Sequence, residues 1–390
     1  MKNIKYNLAS STWGEEEKKA ILEVLDSEKF TMGEKVYGFE KDFASYIGTN
    51  YSVMVNSGSS ANLLMIAALF CKKENPLKPG DEVIVPAVSW STTFTPLQQY
   101  GLKLKFIDVD LETLNIDINQ VEENINENTK LIFGVNLLGN PIDFDRINKI
   151  INEREIYLIE DNCESLGAKY KGKKTGTFGL MASHSSFFSH HICTMEGGLI
   201  TTDDEELYHI LLSLRAHGWT RNLPKENKLT PISNNKFEES FKFILPGYNL
   251  RPLEMSGAIG IEQLKKIESL ISKRRDNGKH FLETFTNSTN FKIQKEVGES
   301  SFFGFSLILK KGSKYSNRNE VLNILEKSGV EYRPIVTGNF TKNPVIKYFD
   351  YSIGSQGLEN SMEIDQSGFF IGNHHYDVKS KIKIIKSLID

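Results

Sequence analysis

Cysteine is scarce. Three residues, Cys71, Cys163 and Cys193, are scattered through 390 positions. Odd in number and dispersed, they make neither a disulfide framework nor a four-ligand cluster site, and the expectation is a cytoplasmic chain with reduced thiols. Long apolar runs are also missing. The longest, Leu63 to Cys71, falls far short of the roughly 20 residues that cross a bilayer, so no membrane partner is expected. The opening MKNIKYNLAS lacks the apolar centre of a signal peptide. There is no excess of positive charge: the net charge of -3 argues against a nucleic-acid binder, and no nucleic-acid motif is visible. What remains, 39% hydrophobic and 25% charged, is ordinary for a soluble globular protein of one large domain and a smaller one. One further gap is local. No lysine occurs between Lys174 and Lys225.

The pattern that is present is regular. WGEEEKKAILEVLD, residues 13–26, reads as an amphipathic helix, and Val36 to Ile47 as a second. Val53 to Phe70 reads as strand, tight turn, helix. Its turn, Asn56-Ser57-Gly58-Ser59-Ser60, places small residues and free amides at a helix N-terminus, which favours an anion. A serine-capped helix with no ligand is the plainer reading. From Asp81 onward, EVIVPAVSW, LKLKFIDVD, LIFGVNLLGNP and EIYLIEDNCESLGA are apolar strand-like runs, and Asp143 to Arg154 is helical. Strands alternating with helices predict an α/β fold with a largely parallel sheet covered on both faces. Ligands of such sheets sit beyond the carboxyl ends of the strands. Trp90, Asp161 and Glu164 fall at or just past those ends, although Trp90 could be a core aromatic and Asp161 a turn cap. A helix follows LITTDDEEL through Arg215, residues 216–246 read as an irregular lid or arm, and another helix opens near Leu253. The expected division is a helical segment over 1–30, a large domain over 31–270 and a smaller α+β domain over 271–390.

The stretch Gly176 to Gly198, GTFGLMASHSSFFSHHICTMEGG, organises the rest. Together with SGSSANL and GYNLRPLEMSGAIG it resembles the fold-type-I, pyridoxal-phosphate-dependent sugar aminotransferase family, over nearly the whole chain. The resemblance implies an aspartate-aminotransferase-like large domain and a homodimer with shared active sites. It implies pyridoxal 5'-phosphate or pyridoxamine 5'-phosphate as cofactor, and a nucleotide-sugar and glutamate as substrates. It assigns the cofactor phosphate to Gly58, Ser59 and Ser185, and, less surely, Ser60. Trp90 matches the aromatic that stacks on the pyridine ring. Asp161 matches the carboxylate that pairs with the ring nitrogen, and Glu164 the polar residue near the ring hydroxyl. Asn249 or Arg251 matches a segment that reaches the neighbouring subunit's cofactor.

The departure from the family is the informative part. The family's Schiff-base lysine falls five residues after the phosphate serine and six before the EGG glutamate. Counted from Ser185 or back from Glu196, both routes reach His190, with His191 beside it. Histidine has no primary amine and cannot tether an aldehyde cofactor, but it can move protons near neutral pH. The resemblance therefore implies a branch that works from the pyridoxamine form and removes the C3 hydroxyl of a nucleotide-linked 4-keto-6-deoxy sugar, GDP-linked and mannose-derived, with release of ammonia. His190 is the candidate base, and His191 could share the work. A second histidine-bearing branch carries an iron–sulfur cluster on a cysteine-rich loop, and no cysteine stands in that region here. A metal is not expected at the His-His pair, for want of a third ligand at useful spacing. Two other readings stay open: an aminotransferase that makes an amino sugar, and an inactive binding or regulatory homologue. The second is weakened because the groups around the cofactor are all kept.

Overall fold

The computed structural model describes residues 4–152 and 154–390. Five strands come early: β1 (Tyr51–Val55), β2 (Glu82–Pro86), β3 (Lys103–Ile107), β4 (Thr129–Val135) and β5 (Tyr157–Asp161). A two-stranded ribbon, β6 (Lys169–Tyr170) and β7 (Lys173–Lys174), stands apart, and β8 (Met181–Ser185) and β9 (Gly198–Thr202) follow. Later come β10 (Phe291–Lys292), β11 (Gly304–Leu309), β12 (Tyr332–Arg333), β13 (Tyr351–Ile353) and β14 (Gly368–Gly372). The central sheet has eight strands in the order β1-β9-β8-β5-β4-β2-β3-β13, and a second sheet has four in the order β10-β11-β14-β12. In the central sheet every pairing is parallel except those of β9, which runs against both β1 and β8. The fold is therefore the mostly parallel α/β arrangement expected of a fold-type-I enzyme.

Two helices precede the sheet, α1 (Glu15–Ser27) and α2 (Glu34–Ile47). Among the strands run α3 (Gly58–Phe70), α4 (Ser91–Gln99), α5 (Ile118–Asn124), α6 (Phe144–Ile151) and α7 (Glu205–Arg215). α3 is apolar on every side, and such a helix must be enclosed. It is: Leu64, Met65, Ile66 and Leu69 are all inaccessible to solvent, each contributing about 1.5–3 kcal/mol of apolar burial. Its N-terminus, and with it the SGSSA turn, is thereby fixed against the sheet. The run expected to reach Trp90 as a strand stops at Pro86, and Trp90 becomes the N-cap of α4. The irregular segment 216–246 holds one short helix, α8 (Lys236–Glu239).

α9 (Glu254–Phe285) is continuous over 32 residues, so the expected division after residue 270 falls inside a single helix. Its glycines are contact residues rather than breaks. A Cβ on Gly257 would stand 2.6 Å from the Val36 amide of α2, and one on Gly260 2.5 Å from the Phe39 ring. α1 also lies on α9, through the ion pair of Lys266 with the buried Glu17. Strand β13, from the C-terminal third, closes the far edge of the central sheet against β3.

Candidate active site

Chain order and sheet order put the ends of β1, β5 and β8 close together. Gly58 opens α3 directly after β1, with Ser57 as N-cap accepting from the Ser60 amide. The amides of Gly58 and Ser59 belong to the first turn, where a helix offers them no acceptor. Gly58 faces Ser185 at the end of β8. A Cβ added there would lie 2.9 Å from both Ser185 Cβ and Cys163 Sγ. That cradle, two amides and a serine hydroxyl, is shaped for a small oxyanion. Ser59 Oγ meets Thr92 Oγ1 at 2.8 Å, which ties the cradle to the start of α4.

Asp161 ends β5 and is buried. Its Oδ2 accepts from Asn62 Nδ2 at 2.9 Å and from Thr93 Oγ1 at 2.8 Å. Its Oδ1 accepts from the Cys163 amide at 3.2 Å. Three donors hold the carboxylate in one orientation. Trp90 stands at the head of the helix that carries Thr93, and 58% of it is exposed. An indole left open at the head of that helix is not a core aromatic, and it suits a flat ring laid against it. Glu164 Oε2 accepts from the Leu138 amide at 2.9 Å. Burial, with Asp161 adding like charge, pushes its carboxyl up to about 7.

His190 and His191 sit on the loop that joins β8 to β9. The loop is a hairpin-like reversal. Ser186 N donates to Gly197 O, Thr194 N to Ser186 O and Phe188 N to Met195 O. The two glycines of EGG are steric requirements. A Cβ on Gly198 would strike Ser57 at 2.3 Å, and one on Gly197 would strike Thr194 Oγ1 at 2.3 Å. Both imidazoles pack on Phe303, with ring centroids 5.1 Å from His190 and 5.9 Å from His191. Phe303 donates its amide to Leu138 O, the residue whose own amide holds Glu164, so the histidine loop and the carboxylates share a wall. His191 is fully buried and meets Ser301 O through Nε2 at 3.2 Å, while Nδ1 of each histidine is buried without a partner. Burial, assisted by the positive charge of Arg274, brings His190 down to about 4. The same causes take His191 well below the usual imidazole range.

The structure thus gathers Gly58, Ser59, Asp161 and Ser185, with Trp90, at one end of the sheet, and hangs His190 and Glu164 beside them. Asn249 and Arg251 lie apart from the carboxylate, on a segment whose Leu250 carbonyl accepts from the Asn56 amide, next to the cradle. Arg251 Nε donates to Asn249 Oδ1 at 3.0 Å. Sequence reasoning overlooked Asn62 and Thr93, which orient Asp161, and Phe303, the shared wall. A signal existed for Asn62. It is a lone amide in an otherwise apolar helix, one turn after Gly58 on the same face. Nothing local marks Phe303 or Thr93.

An oxyanion cradle, a fixed carboxylate and an open indole are the donor set that a phosphorylated pyridine would require, so the residues fit such a group. Comparison with known proteins agrees. The chain is 59% identical over 388 residues to GDP-4-keto-6-deoxy-D-mannose 3-dehydratase of Escherichia coli O55:H7, across 99% of this chain and 100% of that protein. The structure of the E. coli dehydratase with bound hydrated PLP superposes with a TM-score of 0.97 at 59% identity, covering 99% of this chain and 100% of that one. A structure of GDP-4-keto-6-deoxymannose-3-dehydratase with a trapped PLP-glutamate geminal diamine also gives a TM-score of 0.97, at 58% identity and the same coverage. The enzyme class and the pyridoxal-phosphate cofactor follow. A family model matches residues 11–377, and by that match the chain belongs to the DegT/DnrJ/EryC1/StrS aminotransferase family.

Proposed function

We propose that this chain is a pyridoxamine-phosphate-dependent C3 dehydratase of a nucleotide-linked 4-keto-6-deoxy sugar, with GDP-4-keto-6-deoxymannose as substrate, glutamate as amino donor and ammonia as by-product. The observation that carries the reading is an imidazole, His190, at the position where the family places its lysine, beside an otherwise complete cofactor site. The likeness to the GDP-sugar dehydratases supports the choice of sugar and nucleotide.

When bound, the cofactor supplies a ring that withdraws electrons from the carbon attached to it. The chain does the rest. The Gly58 and Ser59 amides and the Ser185 hydroxyl would hold the phosphate. The Asp161 carboxylate, fixed by Asn62 and Thr93, would keep the ring nitrogen protonated. The Trp90 indole would cover one face of the ring. Glu164 would serve the ring hydroxyl, its raised pKa letting it share a proton there. His190, neutral and without a carboxylate to fix it, takes a proton from carbon and passes one to the departing C3 oxygen, which leaves as water. Asn249 or Arg251 reaches the cofactor of a second copy, so that a homodimer shares its sites. The exposed Phe237, Phe241 and Phe243, at 88%, 68% and 54%, support a partner surface on the segment just before Asn249 and Arg251 in sequence. The cytoplasm is the expected compartment, and among the described residues no helix is long and apolar enough to cross a membrane.

The test is incubation with a panel of nucleotide-linked 4-keto sugars and glutamate, followed by mass analysis. The expected product has lost oxygen, and ammonia accumulates. A product that has gained an amine identifies an aminotransferase instead, and no turnover on any sugar identifies an inactive homologue. Borohydride should leave the cofactor unattached to protein.

A further inference from the structure

Arg274 lies in the middle of α9 and is fully buried. Among the described residues it makes no ion pair with a carboxylate within 4.0 Å, unlike the buried Arg215, which pairs with Glu40. Its Nη1 donates to Phe303 O at 3.2 Å, and its Nε is buried without a partner. Phe303 is the ring on which His190 and His191 rest. Unpaired buried polar atoms cluster here: Nδ1 of His190, His191 and His375, Nε of Arg274 and the Ser301 hydroxyl. A buried cation without its anion is costly, and proteins keep one where the charge is used.

We propose that Arg274 is a positioning residue for His190, its unpaired guanidinium holding that imidazole in the neutral, proton-accepting form. The inference rests on the reading of His190 as the group that moves protons. Among the described residues most charged or titratable groups that face the pair lean the same way or are neutral, Tyr6 included, whose hydroxyl donates to Gly372 O; the carboxylates of Asp161 and Glu164, across the Phe303 wall, lean the other way. His191 lies beside His190 on the loop, Arg275 is the next residue of α9 and holds Gly167 O and Ser300 O, and His374 and His375 come from the segment after β14. Among the described residues no carboxylate pairs with either imidazole, in contrast to the acid–histidine pairs that raise imidazole basicity. The direction of the shift on His190, with Arg274 as its second cause after burial, agrees with the geometry. The function follows from the charge. An imidazole that cannot stay protonated beside a fixed cation passes on each proton it accepts, so one enters from carbon, one leaves with the departing oxygen, and the ring returns neutral.

The test is an NMR titration of His190 in isotopically labelled protein, its resonance assigned with His190→Asn, needing neither sugar nor turnover. In the native protein the ring should stay neutral down to about pH 4. Arg274→Gln should move the midpoint upward by about one unit or more, and Arg274→Lys should leave it near the native value. The acid limb of kcat/KM should move with the midpoint. Arg274→Met, close in volume and uncharged, is scored the same way if the glutamine variant does not fold. A native midpoint near 6.5, an uncharged variant with an unmoved midpoint, or an equal rise in Arg274→Lys overturns the proposal. Failure of the dehydratase reading shows elsewhere, as an amine retained in the sugar product.

Discussion

The strand ends and the loop beyond them treat their polar groups in opposite ways. At the end of β5, Asp161 receives Asn62, Thr93 and the Cys163 amide. In β8, His184 is bonded through both nitrogens, to Asn162 and to Thr201. A few residues on, His190 has a buried Nδ1 with no partner, and His191 has a single bond. A carboxylate that must keep its charge throughout turnover gains from having every lone pair held. A ring that trades protons needs a nitrogen left free. The same chain therefore builds a fully bonded carboxylate at the end of β5 and, on the loop after β8, a loosely bonded imidazole. The difference is made by where the donors come from, helices α3 and α4 in one case and an aromatic wall in the other.

The strongest way to break this contrast is to remove the carrier alone. His190→Asn should still bind cofactor, followed by absorbance, while dehydration falls by about 10²–10⁴-fold, the range of a positioned acid–base group. Normal turnover by that variant would remove His190 from the chemistry. Filling the cradle comes next. Gly58→Ala places a methyl 2.9 Å from Ser185 Cβ and Cys163 Sγ. Overpacking of that kind costs about 1–3 kcal/mol, so cofactor Kd should rise roughly fivefold to 150-fold, read by titration of the apoprotein. Loosening the floor is gentler. Thr93→Val takes one donor from Asp161 and should weaken cofactor binding by about 1 kcal/mol, roughly fivefold, with His190 titrating as before.

The fully bonded histidine should show only in the pH dependence of stability, not in cofactor binding. Burial lowers His184 to about 3, below the roughly 6.5 of an unfolded histidine. Between those values the unfolded chain binds a proton that the folded chain refuses. Its contribution is therefore whole above about pH 6.5 and is lost as pH falls toward 3, about 2 kcal/mol of it by pH 5. Thermal unfolding should occur at lower temperature at pH 5 than at pH 7.5. A flat profile over that window would mean that His184 charges within the fold.

Legibility in the sequence tracked the range of the interactions. The alternation of strands and helices, and the place of Asp161 at a strand end, follow from local patterning and could be read directly. The place of His190 on the return from β8 to β9 could be counted from both ends, from Ser185 and from Glu196. Asn62 and Thr93 reach Asp161 from elements nearly a hundred and about seventy positions away, and no local pattern encodes that meeting. Arg274 hides for the same reason. Its significance lies in the carboxylate it lacks, and a sequence does not display an absent neighbour. The helix around it was hard to delimit because Gly257 and Gly260 look like breaks. They are the points where α9 lies against α2, and a side chain would hold the two apart.

The reversed direction of β9 reaches further than topology. Because a hydrogen-bonded return joins it to β8, instead of a helical crossover, the span from Ser185 to Gly198 is held in register by bonds from Ser186 N to Gly197 O and from Phe188 N to Met195 O. A deletion anywhere between Ser185 and His190 would not simply promote His191 as an understudy. That second ring is locked on the Ser301 carbonyl, and the turn would carry its imidazole into the wall. If His190 moves protons as proposed, the doubled histidine is one working tool and one peg, and evolution could exchange their duties only by rebuilding the hairpin.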